Sequence, residues 1–160
     1  MKDLPETDKY RQEYIDRFQT MAKAVAACQQ PEGYWTRSLL DPEHAPGPET
    51  SGTAFFTYGL LWGMNNGFLD KATYQPVVEK AWKYLTTVAL QPDGRIGYVQ
   101  PIGEKAIPGQ VVDANSTANL EWEHFYWLLV KWYVSWIEHS FLIEIRNGVC
   151  SAGKLHFCYR

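Results

Sequence analysis

Four carboxylates in loop-like stretches of the sequence could carry acid–base chemistry: Asp41, Glu49, Glu104 and Asp113. Such chemistry needs two carboxyl groups in differently tuned environments, one protonated and one ionised. Asp41 and Glu49 are eight residues apart across a Pro/Gly-rich turn and could converge on one substrate. Each has a structural alternative, because Glu49 precedes a predicted helix and Asp41 precedes Pro42 in a turn.

Two aromatic residues and one arginine near turn glycines could recognise a sugar. Trp35 and Tyr98 could form a stacking wall for a sugar ring, with packing in the core or at its rim as the alternative. Arg37 could pair with a ligand carboxylate or remain a solvated loop arginine. His44 is alone among turn residues and supports neither a metal site nor a nucleophile dyad, so no metal is predicted.

The composition narrows the class of protein. A chain of 160 residues is ordinarily one domain, which buries about 70% of its unfolded surface. Aromatic residues make up 15%, including seven Trp and ten Tyr, which suits a large core or a groove for flat ligands. The net charge of -3 gives no reason to expect a nucleic acid partner or an anionic membrane. Three cysteines without metal spacing indicate neither a disulfide framework nor a zinc site.

Targeting signals are not evident in the sequence. The polar N-terminal stretch lacks the basic-then-apolar profile of a signal peptide, so the default expectation is a cytoplasmic protein. Residues 125–145 are apolar but are interrupted by Lys131, Glu138 and His139, so no membrane span is predicted.

The elements that would position these side chains are helices. Residues 7–29 carry an apolar stripe at three- and four-residue spacing, which predicts an amphipathic helix with one dry face: Tyr14, Phe18, Met21, Val25 and Cys28. Residues 47–70 are apolar nearly all round, which predicts a buried inner helix. Asp70 can cap a third, one-sided helix, in which Pro76 is tolerable only within the first turn.

An internal repeat organises these helices. Gln30-Pro31-Glu32-Gly33 recurs as Gln91-Pro92-Asp93-Gly94, an offset of 61 residues, and Thr50-Ser51 recurs as Ser116-Thr117 at nearly the same offset. Each unit is a one-sided helix, a Gly/Pro loop and a second helix entered through hydroxyl residues. Stacked helix pairs of this kind predict part of an α/α toroid with its long loops at one end; a compact four-helix bundle is the alternative.

The sequence resembles glycoside hydrolase family 105, the unsaturated rhamnogalacturonyl and related unsaturated uronyl hydrolases, which are akin to family 88. The resemblance is carried by residues 49–56 (Glu-Thr-Ser-Gly-Thr-Ala-Phe-Phe), Gly59, Trp62-Gly63, Asn65-Asn66-Gly67, Gly33-Tyr34-Trp35, Leu39-Leu40-Asp41-Pro42 and residues 97–103. It covers roughly residues 2–119. It implies an all-α fold, an incomplete (α/α)6 barrel of about two helical hairpins.

The resemblance also implies an activity. Family members hydrate the C4–C5 double bond of a terminal unsaturated uronic acid, using an aspartic acid and a second carboxylate and no cofactor. The expected partner is therefore an unsaturated oligosaccharide, with Trp35, Arg37, Asp41, Glu49 and Tyr98 as candidate substrate-binding residues. The family's acid/base aspartates would precede Met1, so no catalytic residue is assigned and this chain alone is expected to be inactive.

Two other functions stay open from the sequence. A non-catalytic carbohydrate-binding or interaction remnant would use the open face of the partial toroid. Another α/α-toroid enzyme, such as a sugar epimerase or a polysaccharide lyase, rests on fold analogy alone. Because part of a barrel leaves apolar helix faces uncovered, self-association through exposed apolar surface is also expected.

The resemblance stops at Asn119, which divides the chain into a family-like part, residues 1–119, and a tail, residues 120–160. Family members continue with a glycine-containing apolar helix of the type Phe-Gly-Val-Gly-Ala-Phe-Leu-Leu-Ala. When residues 120–128 are written with the codons TTG-GAG-TGG-GAG-CAT-TTT-TAT-TGG-CTN and read with one extra T in front, they spell that family sequence. We therefore predict that a one-base deletion near the codon of Leu120 has put the tail out of frame.

Sequencing the coding DNA tests this prediction. Restoring one base near the codon of Leu120 is expected to recover a family-like continuation over the residues that now form the tail. If the restored frame gives no such continuation, the tail is in its proper frame and the boundary at Asn119 needs another explanation.

Overall fold

The computed structural model describes residues 1, 3–101 and 107–116. These residues form three α-helices, namely α1 (Arg11–Ala27), α2 (Thr50–Asn65) and α3 (Lys71–Tyr84), and α3 continues into a π-helical turn over Leu85–Ala89. The described part contains no strand beyond one isolated bridge between Leu90 and Ile96. The all-α prediction is confirmed. None of the described helices has the length and apolar character needed to cross a membrane.

The first helix is shorter than the predicted 7–29, because residues 7–10 form turns and helical hydrogen bonding starts at Arg11. Its dry face is centred on Ile15 and Ala22, which are buried. Tyr14 and Met21, which belong to the predicted stripe, are instead 52% and 60% exposed. The apolar stripe is therefore wider than the surface that α2 covers among the described residues.

The second helix is the predicted inner helix. It carries no charged residue, and eight of its sixteen residues are buried: Thr50, Thr53, Ala54, Thr57, Leu60, Leu61, Gly63 and Met64. It packs against α1 on one side and α3 on the other. Phe55 stays 45% exposed, so one side of this apolar helix is open in the described structure.

The third helix begins where the sequence predicted. The Asp70 carboxylate accepts hydrogen bonds from the Thr73 amide, at 2.8 Å, and from the Thr73 hydroxyl, at 2.7 Å. These bonds hold the pKa of Asp70 below its usual value. Pro76 is the sixth residue of the helix and so lies in its second turn, not within the first turn as expected. Pro76 is exposed there. Its missing N–H leaves the carbonyl four residues earlier without a helical partner, and water can bind that carbonyl instead.

The repeat in the sequence is a repeat in the structure. In the first turn the Gln30 amide donates to the Tyr34 carbonyl at 2.9 Å, and the Gly33 amide donates to Gln30 at 2.9 Å. In the second turn Gln91 donates to Arg95 at 2.8 Å and Gly94 donates to Gln91 at 2.9 Å. Both glycines adopt the left-handed conformation, with φ of 100° and 86°. The two turns thus send the following loops toward α2 in the same way.

Two core clusters hold the helices together. The larger one joins all three helices with Trp35 and Leu69, and contains Ala22, Leu60, Leu61, Met64, Tyr74, Val78 and Ala81. The smaller one packs the π-helical turn and the second loop on α2 through Ala54, Tyr84, Leu85, Ala89, Ile96 and Val99. Residues 120–160, the predicted tail, lie outside the described residues, so the domain boundary at Asn119 stays a prediction.

The repeated turns offer a matched pair of substitutions. A Cβ at Gly94 would meet nothing within 4 Å, so Gly94→Ala adds no steric clash. Its expected cost is therefore the strain of a left-handed alanine alone, about 1–2 kcal/mol. Gly33→Ala carries the same strain, but its Cβ would also overlap the backbone carbonyl of Lys80 in α3. We therefore expect a clearly larger loss of stability for Gly33→Ala, measured by urea denaturation. Equal losses would contradict the close contact between the first turn and α3.

Candidate functional site

The two long loops meet at the N-terminal end of α2, as the sequence predicted. We call this region the loop end; it comprises the first loop (residues 34–49), the start of α2, and the described parts of the second loop (residues 90–101 and 107–116). The Glu49 amide donates to the Trp35 carbonyl of the first loop at 3.1 Å. The next amide, Thr50, donates to the Tyr98 carbonyl of the second loop at 2.9 Å. The start of α2 therefore receives one loop from each repeat.

The Glu49 carboxylate caps α2. Its Oε1 accepts from the Ser51 amide at 3.0 Å and the Ser51 hydroxyl at 2.7 Å, and its Oε2 accepts from the Gly52 amide at 2.6 Å. The side chain is 4% exposed, and Oε1 also accepts from the Gln100 amide at 3.2 Å. The geometry thus favours the capping alternative for Glu49, because both oxygens are occupied by donors and little of the residue reaches solvent.

A buried hydroxyl pair lies beside this cap. The Thr50 hydroxyl donates to the Gly97 carbonyl at 2.8 Å and lies 2.7 Å from the Tyr84 phenol oxygen. A threonine hydroxyl has one proton, so Tyr84 must donate to Thr50. Burial raises the pKa of Tyr84, so the phenol keeps the proton that this bond uses. The pair fixes the second loop to both α2 and α3.

Tyr98 has an unusual backbone conformation at the loop end. Its φ of 59° is the only positive φ among the described residues other than glycines. Bulky residues rarely adopt this region, and such strain persists only where the surroundings hold it in place. Here the Thr50 amide binds the Tyr98 carbonyl, and the Tyr98 amide donates to the Asp113 carbonyl at 3.3 Å. The residue is half-buried, so part of its surface faces solvent.

Arg37 joins the first loop to the second. Its guanidinium donates to the Gln110 carbonyl at 2.7 Å and to the Gln110 amide oxygen at 3.3 Å. Nearby, the Gly109 amide donates to the His44 carbonyl at 2.9 Å. Among the described residues the salt bridges are Arg17–Glu13 and Arg95–Asp93, so the charge of Arg37 is held by neutral groups there.

Trp35 is placed in the core. It is 1% exposed, its indole N–H donates to the Val25 carbonyl at 2.7 Å, and its ring lies edge-on to Phe56 with centroids 5.4 Å apart. A stacking wall needs an open ring face, so the geometry favours the packing alternative for this residue. A Trp35→Ala variant would therefore report on folding before it reported on sugar binding.

The carboxylates that the sequence analysis singled out lie in different environments. Asp41 is exposed, and its carbonyl accepts from the His44 amide in a turn, whereas Glu49 is buried. Asp113 is exposed, and its carboxylate accepts from the Asn115 amide at 2.6 Å. Glu104 lies outside the described residues. The described part of the chain therefore shows a helix cap and two turn carboxylates rather than a pair that share one pocket.

The residues that complete the loop end, Tyr84, Gln100 and Gln110, were missed by the sequence analysis. One signal was available: Thr50, Thr53 and Thr57 recur at three- and four-residue spacing on a helix without charges. Buried hydroxyls at such spacing must find partners. They donate here to Gly97 and to the carbonyls four residues earlier, and Thr53 also accepts from the Trp35 amide at 3.1 Å. The identity of the partners was not readable from the sequence.

Comparison with protein families identifies relatives of the chain. The model described as Glycosyl Hydrolase Family 88 matches residues 1–134, which extends past the predicted boundary at Asn119. Two curated relatives are unsaturated 3S-rhamnoglycuronyl hydrolases. The Alteromonas sp. protein is 40% identical over 114 residues, and the Formosa agariphila protein is 43% identical over 108 residues. These matches cover 71% and 68% of this chain but only 27% and 28% of the relatives.

Solved structures resemble the chain over a similar stretch. A protein described as a polysaccharide lyase is 80% identical, and a family 88 glycosyl hydrolase from Bacteroides vulgatus is 69% identical, both with a TM-score of 0.77. They match 86% and 84% of this chain and 38% of their own chains. A possible family 105 member from Salmonella enterica, 24% identical with a TM-score of 0.65, shares the fold. The predicted incomplete (α/α)6 barrel is thereby confirmed.

The hydroxyl pair at the loop end can be tested by stability measurements. Thr50→Val leaves the buried Gly97 carbonyl and the Tyr84 phenol without their partner, at about 1–3 kcal/mol each, so we expect a loss of about 2–6 kcal/mol. Tyr84→Phe keeps the bond from Thr50 to Gly97 and should cost only about 1 kcal/mol. Urea denaturation of both variants gives the comparison. A larger loss for Tyr84→Phe would contradict the assigned direction of these hydrogen bonds.

Proposed function

The chain belongs to glycosyl hydrolase family 88, and we propose on this basis that it is part of an unsaturated uronyl hydrolase. The observation that carries the proposal is the family match over residues 1–134, supported by curated relatives that are unsaturated 3S-rhamnoglycuronyl hydrolases. The substrate class is an unsaturated oligosaccharide of the pectin or glycosaminoglycan type. Its non-reducing end carries a uronic acid with a C4–C5 double bond.

The reaction is hydration of that double bond. A carboxylic acid protonates C4 of the vinyl ether. A carboxylate takes a proton from a water molecule, which adds to C5. The product is a hemiketal at C5, which opens and releases the rest of the oligosaccharide as the leaving alcohol. The acid and the carboxylate need environments that keep their pKa values apart.

The loop end is the part of this chain that we propose contacts the sugar. Arg37 is the candidate partner for the uronate carboxylate. Among the described residues its guanidinium binds neutral acceptors of Gln110, so its positive charge is not neutralised by a carboxylate there. Tyr98 is the candidate aromatic contact, because it is half-buried and its backbone is bonded to Thr50 and Asp113. Asp41, exposed on the first loop, is a candidate for hydrogen bonds to sugar hydroxyls. Trp35 and Glu49, which are buried, would hold these three residues in position.

We further propose that the 160-residue chain binds the unsaturated sugar without turning it over. The chain spans about a quarter of the length of the curated relatives that it matches. Of the candidate carboxylates that the structure describes, Glu49 serves as a helix cap, and Asp41 and Asp113 lie in turns. A carbohydrate-binding piece is thus the second candidate function, and the two candidates differ in whether the double bond disappears.

A lyase-generated unsaturated disaccharide tests both candidates. The purified chain is expected to leave the ene-uronate absorbance unchanged while titration calorimetry or NMR detects binding. Arg37→Ala should weaken that binding about tenfold, because a charge-assisted contact to the uronate is lost. Measurable loss of the absorbance would contradict the proposed lack of turnover, and absence of any binding would contradict the sugar contact.

Two variants serve as controls for Arg37→Ala. Arg17→Ala removes the same charge from α1, where Arg17 pairs with Glu13 on an exposed helix face, and should leave binding unchanged. Gln110→Ala removes the amide oxygen that Arg37 contacts but keeps the guanidinium and the Gln110 backbone carbonyl. If Gln110→Ala weakens binding as much as Arg37→Ala, the arginine acts by joining the loops and not by contacting the sugar.

A further inference from the structure

The Glu49 carboxylate does more than cap a helix. Its Oε1 accepts a hydrogen bond at 3.2 Å from the amide of Gln100, which lies 51 residues further along the chain. Among the described residues, the donors to Asp70, the comparable cap of α3, come from its own helix, chiefly from Thr73. The contact to Gln100 therefore has no counterpart at the other carboxylate cap and needs a separate explanation.

The segment that Glu49 holds is the one that contains the strained tyrosine. Residues 97–100 lie between the start of α2 and residues 113–116. On the α2 side, the Thr50 hydroxyl binds Gly97, the Thr50 amide binds Tyr98, and Glu49 binds Gln100. On the other side, the Tyr98 amide binds Asp113, and the Val99 amide and carbonyl both bind Ser116. Tyr98 is thereby fixed at φ of 59° from both sides.

We propose that Glu49 is a positioning residue of the sugar site, which acts through Tyr98. Its carboxylate fastens residues 97–100 to α2 and so holds the Tyr98 side chain where it contacts the unsaturated sugar. The sugar contact rests on the proposed function above, whereas the fastening of the loop does not. Strained residues that are fixed by their surroundings often belong to ligand sites, because a rigid side chain loses little entropy on binding.

A carboxylate suits this position for a chemical reason. Three donors converge on Oε1 and one on Oε2, so all four bonds need two acceptor oxygens on one side chain. A glutamine offers one acceptor oxygen and one NH₂ group, which would face an N–H or O–H donor. Glu49→Gln keeps the size of the side chain but must break the bond to Gly52 or the bonds made by Oε1.

The test compares Glu49→Gln with Asp70→Asn, the same chemical change at the other carboxylate cap. Both bonds from Thr73 end on Oδ2 of Asp70, so the amide oxygen of asparagine can accept them. We expect hydrogen exchange at the Gln100 and Thr50 amides to rise about tenfold in Glu49→Gln and to stay unchanged in Asp70→Asn. Urea denaturation confirms that both variants are folded. Glu49→Ala removes both acceptor oxygens and so must break the bond to Gln100. If exchange at these amides in Glu49→Ala equals that in Asp70→Asn, the fastening role is overturned.

Sugar binding separates positioning from a purely structural role. With the unsaturated disaccharide as probe, Glu49→Gln and Tyr98→Ala should each weaken binding, and the double variant should bind no more weakly than Tyr98→Ala alone. Additive losses would overturn action through Tyr98. Wild-type affinity in Glu49→Gln despite faster exchange would overturn the inference and leave the proposed function standing. A wild-type chain that binds no uronide at all would overturn the sugar contact in both proposals, with the exchange result unaffected.

Discussion

The hydrogen bonds accepted by the Glu49 carboxylate are the interaction on which the loop end depends. The first-turn amides of any helix lack partners within the helix, and Glu49 supplies them for Ser51 and Gly52 of α2. The same carboxylate also accepts from the Gln100 amide, 51 residues further along the chain. The group that caps α2 therefore also fixes the position of the second loop. The neighbouring Thr50 adds the bonds to Gly97, Tyr98 and Tyr84.

The coupling explains why the loop end can be rigid although it consists of loops. Loops that carry binding residues need a scaffold that sets their position, and here the scaffold is the start of a helix that is itself buried. Trp35 anchors the first loop from within the core, and the Thr50–Tyr84 pair anchors the second loop to two helices. Arg37 and Gln110 then join the two loops to each other.

The described residues leave apolar side chains exposed on one side of α1 and α2. Tyr14, Met21 and Phe55 are 52%, 60% and 45% exposed, and an apolar groove runs between the two helices, lined by residues that include Phe18, Phe56 and Leu60. Apolar exposure of this extent is typical of a surface that packs against further protein. The chain matches 38% of each of two solved relatives, so most of each relative's chain lies outside the match. Self-association through this surface stays a prediction.

The sequence by itself determined the helices and the repeat, which depend on local spacing, and the family, which rests on the resemblance of its motifs. Apolar residues at three- and four-residue intervals, a cap such as Asp70 and glycines such as Gly33 and Gly94 act on their immediate neighbours. Only the tertiary structure decided which partners the candidate site residues contact. Trp35 is packed inside, Glu49 is a cap that reaches Gln100, and Tyr98 is strained, because each depends on partners between 10 and 51 residues away. Such partners are chosen by packing, which local spacing does not specify.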